Sequence, residues 1–384
     1  MGHTARRTLC LLALCGARTL LPVAARAQAP SRTIEALPEQ TLSALDRSKP
    51  FGRIIGAFTL RDGTIVVGDA STSQILFFSK DGKPTRAFGR RGSGPGEFQS
   101  MVWMGPCGSD TVAVFDPAQN RVTRLNALGT LLGSVPARPP GPVDVIRDGR
   151  SIPSAFLCGR NGVRAVVGWS GGPPPRTVGP HRGSVTIAIA KPGGNFEALG
   201  TFPGAERYRY PRADGPRQLG RTLELAIASS RIYVGTADSF LVQSFDFEGR
   251  KQVALRHSVS RKPFRAVDRA ALKRELGWRF PVSLPRTSLH AAIDAEEFPS
   301  HLPAHGRLLV DTEDRLWVEE GRAPSDATRL WWGFDASGSV VGSIRVPAAL
   351  EVFEIDRDSV LGRWTDDEGG ESVRRHKLIP ESRL

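Results

Sequence analysis

Four stretches of this 384-residue chain follow one template, and the template leaves few folds open. A β-rich run ends, a polar gap follows, a second run begins, and a glycine closes it. Ile65-Val66-Val67-Gly68-Asp69 leads to Phe78-Ser79-Lys80-Asp81-Gly82, and Val112-Ala113-Val114-Phe115-Asp116 leads to Leu125-Asn126-Ala127-Leu128-Gly129; the Asp-to-Gly spacing is 13 in both. Ile232-Tyr233-Val234-Gly235 and Leu316-Trp317-Val318 open the other two, which close at Gly249 and Gly338. Each unit sets an apolar residue four before its glycine, and in three of them Asn or Asp follows that residue. Alternation buries one face of each strand, and glycine supplies the positive φ that a tight hairpin needs. Such a unit cannot cover both of its faces alone and must stack on neighbours.

Two weaker copies, Val185 to Gly194 and Ser359-Val360-Leu361-Gly362 with Val373 to Leu378, raise the number of units to six. The expected fold is all-β: a closed toroid of six four-stranded antiparallel blades over 51–380. The N-terminal segment 30–50, around Thr33 to Leu37, is expected to complete the last blade. About 60 residues per unit exceeds the ~40–50 usual for such repeats, so insertions are expected near 159–184 and 259–305. Within the second, Phe264, Val267, Ala271, Leu272 and Leu276 before Gly277 have helical period, which predicts a short helix over 264–277. Arg265, Arg269 and Lys273 then share one face, read either as a basic binding face or as a solvated one.

Composition narrows the setting. Four Cys cannot staple a chain this long, and 40% hydrophobic content argues against disorder. Met1 to Ala27 reads as a secretory signal, with Arg6-Arg7 before the apolar run Leu9 to Ala17 and small-x-small cleavage sites after Ala27 or Ala29. Arg6-Arg7 leaves Sec and twin-arginine export both open. No later apolar run is long enough to span a bilayer as a helix. The expected location is periplasmic or secreted. Cys107 and Cys158 remain after cleavage, and in an oxidising compartment they form either a disulfide or two buried thiols.

The charge is +13, carried by 44 Arg and 8 Lys against 39 acids; loss of four leader arginines brings it to +9. Nucleic-acid binding would want these charges clustered among aromatics, and they are scattered. Arg207-Tyr208-Arg209-Tyr210 is the densest mixture, and it reads as a strand with alternating faces. An anionic surface remains a partner that such charge favours.

Phe88-Gly89-Arg90-Arg91-Gly92-Ser93-Gly94-Pro95-Gly96-Glu97-Phe98 resembles the connector of NHL-type β-propellers. The ending Val346-Pro347 … Leu361-Gly362 … Asp366-Asp367-Glu368 … Leu378 resembles bacterial exported six-bladed propellers of the NHL/TolB-like kind. The resemblance implies a β-propeller and transfers no activity, because such families share a fold and not a chemistry.

Candidate site residues are few. The glycine-rich run 89–96 lacks the Lys-Ser/Thr of a phosphate loop and enters no helix, so it reads as an inter-blade connector. Arg90 and Arg91 are its candidates for facing an anion. Asp69 and Asp116 end equivalent strands, with Asp311, Glu319 and Glu320 near the equivalent strand of a later blade. Carboxylates in the channels of lactonase-type propellers hold Ca²⁺, so Asp69 and Asp116 are the metal candidates; the competing reading is that each bonds its own turn. His301 to His305 lacks the zincin order, and Pro303 opposes a helix there. No Gly-x-Ser-x-Gly elbow occurs. Trp317, Trp331 and Trp332 are expected to pack between blades rather than to stack on sugars.

Two functions follow. The first is an exported non-catalytic platform that binds a protein or small molecule and needs no cofactor. The second is a metal-dependent lactonase- or lyase-like enzyme with Ca²⁺ on channel carboxylates.

Overall fold

Strand order follows the repeat closely in a computed structural model, which describes Gly2 and residues 29–44, 50–137, 155–169, 175–191, 196–211, 214–279 and 286–381. The expected leader 1–27 lies outside the described residues. Two short strands come first, β1 (Ser31–Ile34) and β2 (Gln40–Leu42). The first four-stranded sheet is β3 (Ile54–Thr59), β4 (Ile65–Asp69), β5 (Gln74–Phe78) and β6 (Pro84–Phe88). The second is β7 (Trp103–Pro106), β8 (Thr111–Asp116), β9 (Arg121–Asn126) and β10 (Leu131–Pro136). The third has five strands, β11 (Ala155–Cys158), β12 (Arg164–Trp169), β13 (Gly179–Ala190), β14 (Phe196–Arg209) and β15 (Asp214–Pro216). The fourth is β16 (Glu224–Ile227), β17 (Ile232–Gly235), β18 (Leu241–Phe245) and β19 (Lys251–Arg256). Helices α1 (Ala266–Arg279) and α2 (Arg286–Ala295) follow. Then come β20 (His305–Val310), β21 (Leu316–Glu320), β22 (Thr328–Phe334) and β23 (Val340–Pro347), and finally β24 (Leu350–Ile355), β25 (Ser359–Thr365) and β26 (Glu371–Pro380).

The first strands of these units, β3, β7, β11, β16, β20 and β24, touch in that order, and β24 returns to β3. They are the inner wall of a ring. Exposure rises outward: β4 is buried throughout, whereas β6 is exposed at four of its five positions. The core lies between sheets. Alternation sends Val66 of β4 into a cluster with Met104, Val112 and Val114 of the second sheet. Its neighbours Ile65 and Val67 face the other way, against Leu361 and Val373 of the last sheet. Four further clusters fill the remaining junctions. A middle strand covered on both faces therefore reads as an apolar run, not as an alternation. Each fully buried Val or Ile contributes about 1.5–3 kcal/mol over an exposed one. The arrangement is a β-propeller.

The repeated turn has a simple cause. Asp246 Oδ1 accepts from the Glu248 and Arg250 N–H groups at 3.0 and 2.8 Å, and Asp335 Oδ1 from those of Ser337 and Ser339 at 2.8 and 3.0 Å. Asn126 does the same for Thr130 at 2.8 Å. Gly129, Gly249 and Gly338 then take φ of 71°, 84° and 86°, which glycine adopts without a Cβ penalty.

The chain ends meet in the last sheet. β1 runs antiparallel to β26, with Thr33 opposite Ile379, and parallel to β23, with Arg32 opposite Ile344. β2 pairs β26 lower down, Thr41 opposite Arg374. This corrects the expectation of six separate four-stranded blades, because β1 ties the last two units into one nine-stranded sheet. The third unit departs too, with a fifth strand and a 14-residue β14. The stretch 159–184, expected as an insertion, supplies β12 and the start of β13. Its run Ala165-Val166-Val167 is core, yet no hairpin glycine of the usual spacing follows it. Arg207-Tyr208-Arg209 lies on β14 with Tyr208 inward.

The second insertion holds two helices where one was expected. α1 packs Leu272 and Leu276 on Ile293 of α2. The basic face is not free: Lys273 Nζ reaches Asp294 at 2.6 Å, and the Arg269 guanidinium lies 4.6 Å from the Phe298 ring centroid. Trp317 and Trp331 are buried between the last two units, while the Trp332 ring lies tilted against His257, with centroids 4.1 Å apart.

Candidate functional site

The inner strands enclose a cavity of about 490 Å³ along the ring axis. Each strand gives it at least one half-buried apolar side chain, among them Ile55 from β3, Trp103 from β7, Leu157 from β11, Ile227 from β16, Leu309 from β20 and Phe353 from β24. Each is anchored at its base in an inter-sheet cluster. The waist of the channel is therefore apolar and held by rigid strands.

One end, where the inner strands finish, is latched. Arg160, in the turn after β11, reaches across to the last unit, its Nη2 2.6 Å from Glu354 Oε2. Glu354 also accepts from the Thr59 N–H at 3.0 Å and the Thr59 hydroxyl at 2.6 Å. Asn161 donates to the Ala228 carbonyl at 3.0 Å, and Ser229 N–H donates to Asp314 at 2.7 Å. The Cys107–Cys158 disulfide joins the second and third inner strands here, with Cα atoms 5.0 Å apart. We call this the lower end.

The upper end carries charge. Arg307 Nη1 lies 3.2 Å from Glu351, donates to the Val352 carbonyl at 2.8 Å and stands 5.5 Å from the Phe353 ring centroid. Arg363 pairs Glu351 and also Glu371, the latter at 3.2 Å. Arg329 pairs Glu319 at 2.9 Å. Burial lowers the Arg329 guanidinium, and Glu319 with Glu351 more than reverses that. Glu224, at the start of β16, has its carboxyl lifted above the ordinary range by burial, against the pull of Arg307. Above these groups α1 roofs a cavity of about 320 Å³ with Leu272 and Leu276.

Asp69 and Asp116 sit elsewhere. Both end second strands, whereas first strands line the channel. Asp69 Oδ1 accepts from the Arg53 and Ser71 N–H groups at 3.1 and 3.0 Å and from the Ser71 hydroxyl at 2.7 Å. Asp116 caps a 3-10 turn, accepting from Gln119 N–H at 3.2 Å and Gln99 N–H at 2.7 Å. Both carboxylates are spent on their own loops, the turn chemistry weighed against metal binding. Asp311 likewise takes Arg315 N–H and Trp317 Nε1, at 2.8 and 2.7 Å. Among the described residues no group of three or more His, Cys, Asp or Glu is placed to hold a metal ion. The channel waist itself is lined by apolar side chains.

Arg90 and Arg91 are exposed on the glycine connector. Arg90 pairs Glu97 at 2.7 Å, and Gly94 N–H donates to Glu97 at 2.8 Å. The connector's carbonyls, not its N–H groups, face a cation: Arg121 Nη2 takes the Gly94 carbonyl at 2.8 Å. A Cβ on Gly89 would sit 2.7 Å from Phe98, and one on Gly96 2.8 Å from Phe88. The glycines let Phe88 and Phe98 pack; no phosphate cradle is formed. His305, from the His301–His305 pair, is wholly buried: Nε2 accepts from Ala237 N–H at 3.0 Å and Nδ1 donates to the Gly306 carbonyl at 2.8 Å.

Sequence reasoning missed the channel-lining residues. Each first strand carries such an apolar residue, at no fixed position along it, and the template was built on second and third strands.

Comparison with known proteins agrees with the ring. The model of a family described as a 6-bladed beta-propeller matches residues 51–104, the first unit and the opening of the second. No curated protein sequence matches the chain. A member of the duf4221 family from Bacteroides vulgatus has a similar fold, with a TM-score of 0.52 at 11% identity over 91% of this chain and 99% of that one. A gluconolactonase of Xanthomonas campestris gives 0.45 at 12% identity over 92% and 99%, and a virginiamycin B lyase of Staphylococcus aureus 0.43 at 11% over 89% and 99%. Among the described residues no helix is long and apolar enough to cross a membrane.

Proposed function

We propose that this chain is an exported six-bladed β-propeller that acts as a binding platform in the cell envelope, taking a small, largely apolar ligand in its central channel. The observation that carries the reading is the ring of half-buried apolar side chains, at least one from each inner strand, around the 490 Å³ cavity. Cavities of about 300–1,000 Å³ lined by apolar groups with a few polar ones are the usual form of small-molecule sites. The Arg160–Glu354 pair crosses the lower end of the channel. Export is supported by the leader, and the NHL/TolB-like affiliation by the connector 88–98.

The test is titration with the neutral dye N-phenyl-1-naphthylamine. The reading predicts saturable fluorescence enhancement with one site per chain, lost in Leu157→Arg and in Leu309→Arg, both of which place a guanidinium in the waist. Thermal melts identify variants that remain folded. Equal enhancement in folded variants would contradict it.

A further inference from the structure

The turns at the lower end join each unit to the next. Gly108 N–H donates to the Gly159 carbonyl at 3.1 Å between the second and third units, and Asn161 donates to the Ala228 and Ser229 carbonyls at 3.0 Å between the third and fourth. Ser229 N–H reaches Asp314 of the fifth unit at 2.7 Å, the Thr312 hydroxyl reaches Asp356 of the sixth at 2.5 Å, and Glu354 takes Thr59 of the first. Arg160 departs from that pattern. With inner strands in the order β3, β7, β11, β16, β20, β24, the third and sixth units stand opposite each other in the ring. The Arg160 side chain leaves the third unit and meets Glu354 of the sixth at 2.6 Å, with its Nη1 3.3 Å from the Thr59 carbonyl of the first. It therefore crosses the mouth of the channel, whose lining includes both Arg160 and Glu354.

The turn and the side chain differ in freedom. Gly159 N–H donates to the Val163 carbonyl at 2.8 Å, Gly162 N–H to the Gly159 carbonyl at 2.9 Å, and Val163 N–H to the Asn161 side chain at 3.0 Å. A Cβ on Gly159 would lie 2.7 Å from the Ile227 side chain, so the turn is pressed onto the fourth unit. The Arg160 side chain is 40% exposed and rests on the Glu354 carboxylate and the Thr59 carbonyl. An exposed ion pair adds little stability, and the bonds between neighbours already hold the rim. Exposed side chains exchange rotamers within picoseconds to nanoseconds. We infer that Arg160 is a gate on the lower mouth: paired with Glu354 it bars the channel, and swung away it admits and releases the ligand of the waist. The open fraction then sets the rates of entry and exit, while the waist sets affinity. The gate deepens the channel reading and rests on it for the ligand.

The first arm of the experiment needs no ligand. Leu309→Cys places a free thiol in the waist of the full mature chain, with Ile227→Cys as a second reporter on another strand. Mass spectrometry follows its reaction with neutral benzyl methanethiosulfonate and checks that the Cys107–Cys158 bridge is intact. Adding Arg160→Ala should speed labelling by about fivefold, the upper scale of the bias that one exposed ion pair exerts. Glu354→Gln should do as much, and the two together no more than either alone. Raising NaCl from about 20 to about 300 mM should speed labelling with Arg160 present and not in Arg160→Ala, because salt screens an exposed pair and the reagent is neutral. The second arm is stopped-flow binding of N-phenyl-1-naphthylamine, whose association and dissociation rates should rise by the same factor in Arg160→Ala. Equal labelling rates with and without Arg160 would overturn the gate and place entry at the upper end. A changed affinity at an unchanged association rate would also overturn it, since Arg160 would then hold the ligand and not admit it. Faster labelling in a chain that binds no dye would uphold the gate and contradict the channel reading instead.

Discussion

The two ends of the channel are built from one repeat and have diverged in opposite directions. At the lower end the connections are short. Asn161 and Asp314 sit in tight turns, a disulfide joins two inner strands, and Arg160 bolts the third unit to the last. At the upper end the connections between units vary widely, from Ala348-Ala349 between β23 and β24 to the stretch between β19 and β20 that carries both helices. Sheet geometry fixes where inner strands begin and end, but only the connections between units can lengthen without disturbing a hairpin register. The comparison teaches that the lower end supplies closure and the upper end supplies variation, including the helical roof.

Breaking the lower end gives the largest expected effect. Replacing both Cys107 and Cys158 by Ala should lower unfolding free energy by about 2–4 kcal/mol, measured by urea titration, with native channel binding retained below the transition. A loss under 0.5 kcal/mol would mean that the latch does not depend on the bridge. The upper end should respond locally. Leu272→Ala removes part of the small cluster under α1 and should cost about 2 kcal/mol there. Hydrogen exchange should accelerate in α1 and α2 while the sheets keep their protection; equal acceleration in β4 and β8 would show that the helices are integral to the ring.

The smallest effect concerns pH. Burial holds the His305 imidazole below its ordinary value, and its neutral form is the one that accepts from Ala237 N–H. An imidazole depressed in the folded state binds fewer protons there than in the unfolded state. Its contribution is therefore fully present above about 6.5 and is lost as pH falls toward the lower folded value. The loss should appear on acidification from about pH 7.5 to 5 as a falling melting temperature. His305→Gln should flatten that slope. An unchanged slope would place the pH dependence in other groups.

Much of the ring was legible because its signal is local. Ile65 to Val67 and Val112 to Phe115 are covered on both faces, and Asn126, Asp246 and Asp335 bond their own hairpins, so each unit carries its pattern in consecutive residues. The third unit was misread because no glycine follows Ala165 to Val167 at the usual spacing. Pairing of β1 with β23 as well as β26 could not be read, since a strand four residues long states no partner. The metal candidates illustrate the same limit. Asp69 and Asp116 stand out in sequence because they end repeated strands, which is also why each bonds its own turn. The channel residues Ile55, Leu157 and Phe353 are ordinary apolar residues in sequence, and only closure of the ring brings them together.

Native mass spectrometry of the mature chain, purified gently from the envelope of its own cells, tests the channel reading most directly. The account predicts a one-to-one small-molecule adduct that leaves on collisional activation and is missing from folded Leu157→Arg. A bare chain, or an adduct that persists in that variant, would contradict it.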